Sequence, residues 1–227
     1  MEGMKQRIAR RVAQELRDGD VVNLGIGLPT MVADYVPEGV EIILQSENGI
    51  LGMGGSPTPQ TLDLNIQNAG AQFITVRPGA MFFDSAYSFG LIRGGHIDVT
   101  VLGAFEVDQE GNLANWMIPG GKIAGMGGAM DLSTGARRVI VATLHTGKTG
   151  PKLVKSCRYP LTARHAVDTI VTEMGVFRWE EGTGFVLTEH FDDFTVEQIG
   201  RNTQFSFAVS KQLKIIKVVN DYMESLS

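Results

Sequence analysis

Short apolar runs, each closed by glycine or by polar turn residues, constrain this fold more than any other feature of the chain. Val21–Leu24, Ile42–Leu44, Phe73–Val76, Val99–Leu102 and Val139–Ala142 are too short for helices and too apolar for half-exposed strands. Runs of this length between turn signals read as strands buried on both faces. Helix-like pieces lie between several of them. Met4, Ile8, Val12 and Leu16 fall on one face of an N-terminal amphipathic helix, and Asp84 suits the N-cap of a helix over Ser85–Arg93. Strands alternating with helices predict an α/β fold whose largely parallel sheet is flanked by helices.

After Thr143 the rhythm changes. Val167–Thr172, Val176–Trp179 and Phe185–Glu189 follow closely, with Glu181-Gly182-Thr183-Gly184 as turn material, so the C-terminal part is expected to be hairpin-rich. Thr195-Val196-Glu197-Gln198 has the form of a capping box. From Lys211 onward, Leu213, Ile216, Val219 and Met223 share a helical stripe. These patterns predict one domain over residues 1–207 and a helical tail over residues 208–227.

Charge and cysteine usage narrow the function classes. A net charge of −5 with dispersed basic residues argues against a nucleic-acid surface and gives no reason to expect an anionic membrane as partner. No apolar run approaches the length of a membrane span, and the first residues lack a signal-peptide core. The single cysteine, Cys157, cannot form an internal disulfide and reads as a small buried residue. A cytoplasmic protein is the expectation.

Several familiar motifs fail on inspection. Asn23-Leu24-Gly25-Ile26-Gly27-Leu28-Pro29-Thr30 follows a strand, but Thr30 stands where a dinucleotide fingerprint needs its third glycine. Gly147-Lys148-Thr149 lacks the glycine a phosphate loop requires five positions earlier, where Ala142 stands. His96, His145, His165 and His190 have no metal-ligand spacing, so no metal centre is expected.

One carboxylate remains. Ser46-Glu47-Asn48-Gly49 closes an apolar run and opens into glycines at 49, 52, 54 and 55. A carboxylate that backbone can approach closely is the layout for covalent carboxylate catalysis. The same residues also suit a glutamate that caps a helix or stays solvated at a strand end. With the other motifs eliminated, Glu47 is the best-placed candidate nucleophile. Gly-Met-Gly-Gly occurs twice, at 52–55 and 125–128, which predicts two places of tight backbone approach.

Six segments in order carry a resemblance. They are the 23–30 loop, Ser46-Glu47-Asn48-Gly49, Phe82-Phe83-Asp84-Ser85, Ile92-Arg93-Gly94-Gly95-His96, Leu113-Ala114-Asn115-Trp116-Met117-Ile118-Pro119-Gly120 and Gly125-Met126-Gly127-Gly128-Ala129-Met130-Asp131-Leu132. Together the chain resembles the β subunit of the 3-oxoacid (family I) coenzyme A transferases. The resemblance implies the CoA-transferase (NagB/RpiA-like) fold and a ping-pong transfer of CoA between an acyl-CoA and a short-chain 3-oxo acid. It implies that Glu47 is the catalytic glutamate, carrying first an acyl anhydride and then a CoA thioester. Gly128 and Ala129 match the family's oxyanion-binding backbone. Gly25 and Gly27 would let the first loop approach the substrate, with Ser46 and Asn48 as neighbours suited to CoA or substrate contact. CoA then enters as a substrate, with no permanently bound cofactor, and an α subunit is the implied partner in an α2β2 assembly. The chain departs from the family's pattern at Ser56-Pro57-Thr58-Pro59-Gln60, in the approach Asp63–Gly70, and at Ala124, where relatives often carry lysine. A non-catalytic binding or regulatory subunit of this fold and a sugar-phosphate isomerase of related fold are the alternatives.

Overall fold

The computed structural model of the protein describes residues 2–121 and 123–218. Helix α1 (Glu2–Ala13) leads into β1 (Val21–Leu24), a 3-10 helix (Leu28–Tyr35), β2 (Ile43–Ser46), β3 (Ile50–Met53) and β4 (Val76–Phe82). Helix α2 (Ser85–Arg93) precedes β5 (Val99–Leu102) and the short strands β6 (Glu106–Asp108) and β7 (Leu113–Ala114). Helix α3 (Ala129–Gly135) enters β8 (Arg138–Ala142), followed by β9 (Thr146–Gly147), β10 (Gly150–Pro151) and β11 (Leu153–Val154). The described chain closes with β12 (Thr169–Val171), β13 (Gly175–Glu180), β14 (Gly184–Phe191), α4 (Val196–Arg201) and β15 (Ala208–Ile216).

Ten strands form one sheet in the order β15-β14-β13-β12-β8-β5-β1-β2-β3-β4. Its centre, β12-β8-β5-β1-β2, is parallel throughout, and antiparallel strands extend it on both sides. Most residues of the central strands are buried on both faces, as their largely apolar sequences require, although Ile43 of β2 is exposed. Along β8 the alternation is explicit: Ile140 and Ala142 join the core beneath α1, while Val139 and Val141 join the opposite core with Phe177, Phe185 and Ile199. The first core also receives Ile8 and Val12 from α1 and Leu16 just past it, whereas Met4, expected on the same face, is exposed and Arg11 is buried in ion pairs with Glu15 and Glu189. Asp84 caps α2 by accepting the Tyr87 N–H at 2.8 Å, and Thr195 and Gln198 form the expected capping box. Among the described residues no helix is long and apolar enough to cross a membrane.

Two expectations are corrected. The strand expected at Phe73–Val76 lies instead at Val76–Phe82, across Pro78 and Gly79. Proline and glycine normally end a strand, but β4 is the outermost strand, where a missing N–H costs no ladder bond. The second correction concerns the expected helical tail. Ala208–Ile216 is a strand that pairs parallel with β14, so this segment belongs to the main sheet and no boundary falls at residue 207. Leu213 and Ile216 match helical spacing, but edge pairing with β14 decides the conformation; Val219 and Met223 lie outside the described residues.

His145, just past β8, is fully buried, with Nδ1 3.0 Å from Thr172 Oγ1 and Nε2 2.9 Å from Thr203 Oγ1. Burial pushes its pKa down to about 4, so the folded protein holds the ring neutral. The unfolded chain takes up that proton near pH 6.5. This residue's contribution to stability is therefore complete above pH 6.5 and is lost as pH falls toward 4, by about 3 kcal/mol in all. Chemical denaturation of wild type and His145→Gln at pH 7.5 and pH 4.5 checks it. The wild type should lose more stability than the variant between the two values.

Candidate active site

The carboxyl ends of β1, β2, β5 and β8 border a cavity of about 1030 Å³. The parallel strands β1, β5 and β8 end here in loops, which leaves a crevice at the strand ends. Glu47 reaches it from the tip of a tight hairpin. Ser46 pairs with Ile50, so Glu47, Asn48 and Gly49 form the turn between β2 and β3, closed by the Gly49 N–H donating to Ser46 O at 2.9 Å. Gly49 has φ +115°, and a Cβ there would overlap the Phe83 carbonyl oxygen. Gly49→Ala is thus expected to destabilise the protein by about 3 kcal/mol or more, read as a lowered denaturation midpoint with unchanged m.

The second glycine loop comes to meet this turn. The Gly128 N–H donates to Glu47 Oε1 at 3.1 Å. Contact this close depends on the absence of side chains. A Cβ on Gly128 would overlap Glu47 Oε2 and lie 2.7 Å from its Cδ, and one on Gly127 would lie 3.3 Å from Oε1. The neighbouring Ala129 N–H donates within the loop to Met126 O at 3.1 Å. Gly128 is therefore the backbone donor on the carboxylate, and Ala129 supports the loop.

Of the residues singled out in the sequence, Gly25, Ser46, Glu47, Gly128 and Ala129 line the cavity together. The Gly25 N–H donates to Val101 O at 2.8 Å, which ties the first loop to β5 and leaves that amide engaged. The Ser46 hydroxyl accepts the Ala69 N–H at 2.9 Å and is buried. Asn48 is exposed and turned away, its Nδ2 donating to Gln67 O at 2.8 Å. Gly27 is exposed outside the cavity lining, with φ +90°, where it starts the 3-10 helix and its carbonyl accepts from the Thr30 hydroxyl.

Sequence reasoning missed a buried polar chain under the turn. Asn23 Nδ2 donates to Gln45 Oε1 at 2.7 Å, and Gln45 Nε2 donates to Ser88 Oγ at 2.9 Å. All three residues are buried, and the first two line the cavity. The available signal was a polar residue inside an otherwise apolar strand, twice, at Asn23 and Gln45. Such a residue stays buried only if its donors find partners. Cys157 faces no such chemistry: burial, with Asp108 and Glu106 nearby, pushes its thiol pKa far up and keeps it protonated. Among the described residues no group of histidine, cysteine or carboxylate side chains is placed to hold a metal ion.

Comparison with known proteins decides the family. The family model described as Coenzyme A transferase matches residues 5–202, most of the chain. The chain belongs to the coenzyme A transferase family. This transferase chain is 57% identical to the beta chain of the acetate CoA-transferase of Escherichia coli, over 92% of its length and 95% of the relative's. It is 46% identical to the mitochondrial succinyl-CoA:3-ketoacid coenzyme A transferase 2 of Homo sapiens, over 96% of this chain but 43% of that longer one. Among solved structures, an acyl-CoA transferase apoenzyme from Escherichia coli superposes with a TM-score of 0.76 at 26% identity. That match covers 94% of this transferase chain and 43% of the larger protein. The α/β sheet expected from the sequence is thus the transferase fold.

Proposed function

We propose that this chain is the catalytic β subunit of a CoA transferase that works through a glutamyl-CoA thioester on Glu47. A Glu47 carboxylate oxygen attacks the thioester carbonyl of the acyl-CoA, the C–S bond breaks, and the CoA thiolate leaves an acyl–glutamyl anhydride. The thiolate then attacks the glutamyl carbonyl carbon, the C–O bond breaks, and the first acid departs as its carboxylate. An acceptor carboxylate runs both steps in reverse and leaves as the new acyl-CoA. Thioester energy is retained at each stage, so the exchange consumes no nucleotide, and covalent catalysis divides one hard step into easier ones.

The observation that carries this reading is the Gly128 N–H on Glu47 Oε1 at 3.1 Å inside the cavity. A backbone donor fixed beside the carboxylate is placed to stabilise oxygen charge that develops during acyl transfer. The relatives' names support short-chain acids, since one names acetate and the other a 3-ketoacid. They also support a partner. The bacterial relative is named as one subunit, whereas the human relative and the solved acyl-CoA transferase each carry more than half their length beyond the match. We read the counterpart of that extra length as an α subunit, assembled with this chain as α2β2 and contributing to the CoA site. Gly25 and Ser46 contribute to the cavity wall, whereas Gly27 and Asn48 act on loop shape. The single protonated Cys157 suits a reducing cytoplasm.

Exchange assays on the chain co-expressed with its α partner test this reading, using acetyl-CoA and a panel of two- to six-carbon acids. New acyl-CoA should form in chromatograms for at least one acid. A stable complex that exchanges CoA with none of them would return the chain to the reading of a non-catalytic binding subunit.

A further inference from the structure

A second charged group lines the cavity, and the mechanism above leaves it unused. Lys152 stands between β10 and β11, and its ammonium reaches back to the carboxyl ends of two central strands. Nζ donates to Ala104 O, just past β5, at 2.9 Å and to Thr143 Oγ1, just past β8, at 2.7 Å. Ala104 and Thr143 are buried and line the same cavity as Glu47. An ammonium has three N–H donors. Two are taken, which leaves one for the cavity.

The charge is likewise unmatched. Among the described residues Lys152 makes no ion pair, and the carboxylate that acts on it at longer range is Glu173. Glu173 Oε2 already accepts the His145 N–H at 2.8 Å. Burial lowers the lysine's pKa, because protein atoms have replaced part of the water around its ammonium. Lys5 also lines the cavity, but it is exposed on α1. A half-buried cation with an open donor, fixed to rigid strand ends, is a built receptor for an acceptor oxygen.

We propose that Lys152 holds an oxygen on the acyl chain of the acid, a 3-oxo group or a second carboxylate, while Glu47 meets the carboxyl end. This inference rests on Glu47 being the nucleophile of a CoA transfer. Lys152 would then set which acids the enzyme prefers, because a buried donor left without its acceptor penalises an acid that lacks the oxygen.

Three four-carbon acids separate the cases: acetoacetate carries the 3-oxo group, succinate the second carboxylate, and butyrate neither. The assembled enzyme is assayed with acetyl-CoA as donor, comparing wild type with Lys152→Gln. The neutral glutamine amide ends one atom short of the lysine ammonium, so it removes both the charge and the donor offered to the acid. The kcat/KM ratio of acetoacetate to butyrate, of succinate to butyrate, or of both should fall about 10- to 100-fold. The ratio that falls names the oxygen held. If both ratios stay at the wild-type value, whether activity on the three acids is retained or reduced equally, the proposal is overturned: Lys152 is then a strut between strand ends or a contact to CoA itself. Lys152→Met, which keeps an unbranched apolar stem out to the position of Cε but no ammonium, gives the same comparison should the glutamine variant fail to fold. Failure of the parent reading looks different, because wild type would then exchange CoA with none of the three acids.

Discussion

Replacing Glu47 with glutamine should abolish CoA exchange, by about four orders of magnitude or more, while leaving the protein folded. Glutamine keeps an oxygen where Glu47 Oε1 accepts the Gly128 N–H, so the contact between turn and loop survives. It also keeps the side-chain volume at a half-buried position. What it removes is the carboxylate, and a neutral amide cannot form the anhydride. Glu47→Asp sharpens the point. It retains the charge but withdraws it by one methylene, and misplacement on the order of 1 Å costs about 100-fold. Steady-state exchange with circular dichroism as a folding control checks both. A glutamine variant with a tenth of wild-type activity would exclude Glu47 as the nucleophile.

Gly128→Ala should be the second most damaging change, lowering kcat about 100- to 1000-fold. Gly128 has φ −83° and ψ 1°, a conformation alanine adopts freely, so the backbone itself tolerates the substitution. The added Cβ meets Glu47 Oε2 and Cδ instead. The carboxylate must swing off its donor, and the cost falls on chemistry with little effect on stability. Gly49→Ala is the counterpart: there the positive φ and the overlap with the Phe83 carbonyl fall on the backbone, so stability is lost. A thermal melt beside a kcat measurement separates the two. If Gly128→Ala retained wild-type kcat, the contact between loop and carboxylate would have no catalytic part.

The central sheet was legible because Val99–Leu102 and Val139–Ala142 carry the short, largely apolar signature of strands buried on both faces, with Thr100 the one polar residue among them. Asp84 and Thr195 were legible because capping chemistry is local. The edges were not. At β4, Pro78 and Gly79 mimic a strand break, and at β15 the spacing of Leu213 and Ile216 imitates a helix. In both places pairing with a distant strand decides the conformation, and no local pattern carries that information. The site divides the same way. Glu47 stood out as a carboxylate beside glycines and the 125–128 loop as a place of close backbone approach, whereas Gly128 as its partner came from the family resemblance, because their contact spans 81 residues of sequence. Lys152 gave no signal, because its partners Ala104 and Thr143 are brought to it only by the order of β5 and β8 in the sheet.

The most direct test of the account is the mass of the peptide that contains Glu47, taken from the assembled enzyme after incubation with acyl-CoA and no acceptor acid. The account predicts a CoA adduct in thioester linkage at Glu47, removed by a carboxylic acid acceptor and converted to the alcohol by borohydride. An enzyme that exchanges CoA between acids while this peptide stays unmodified, or that carries CoA on another residue, would contradict it.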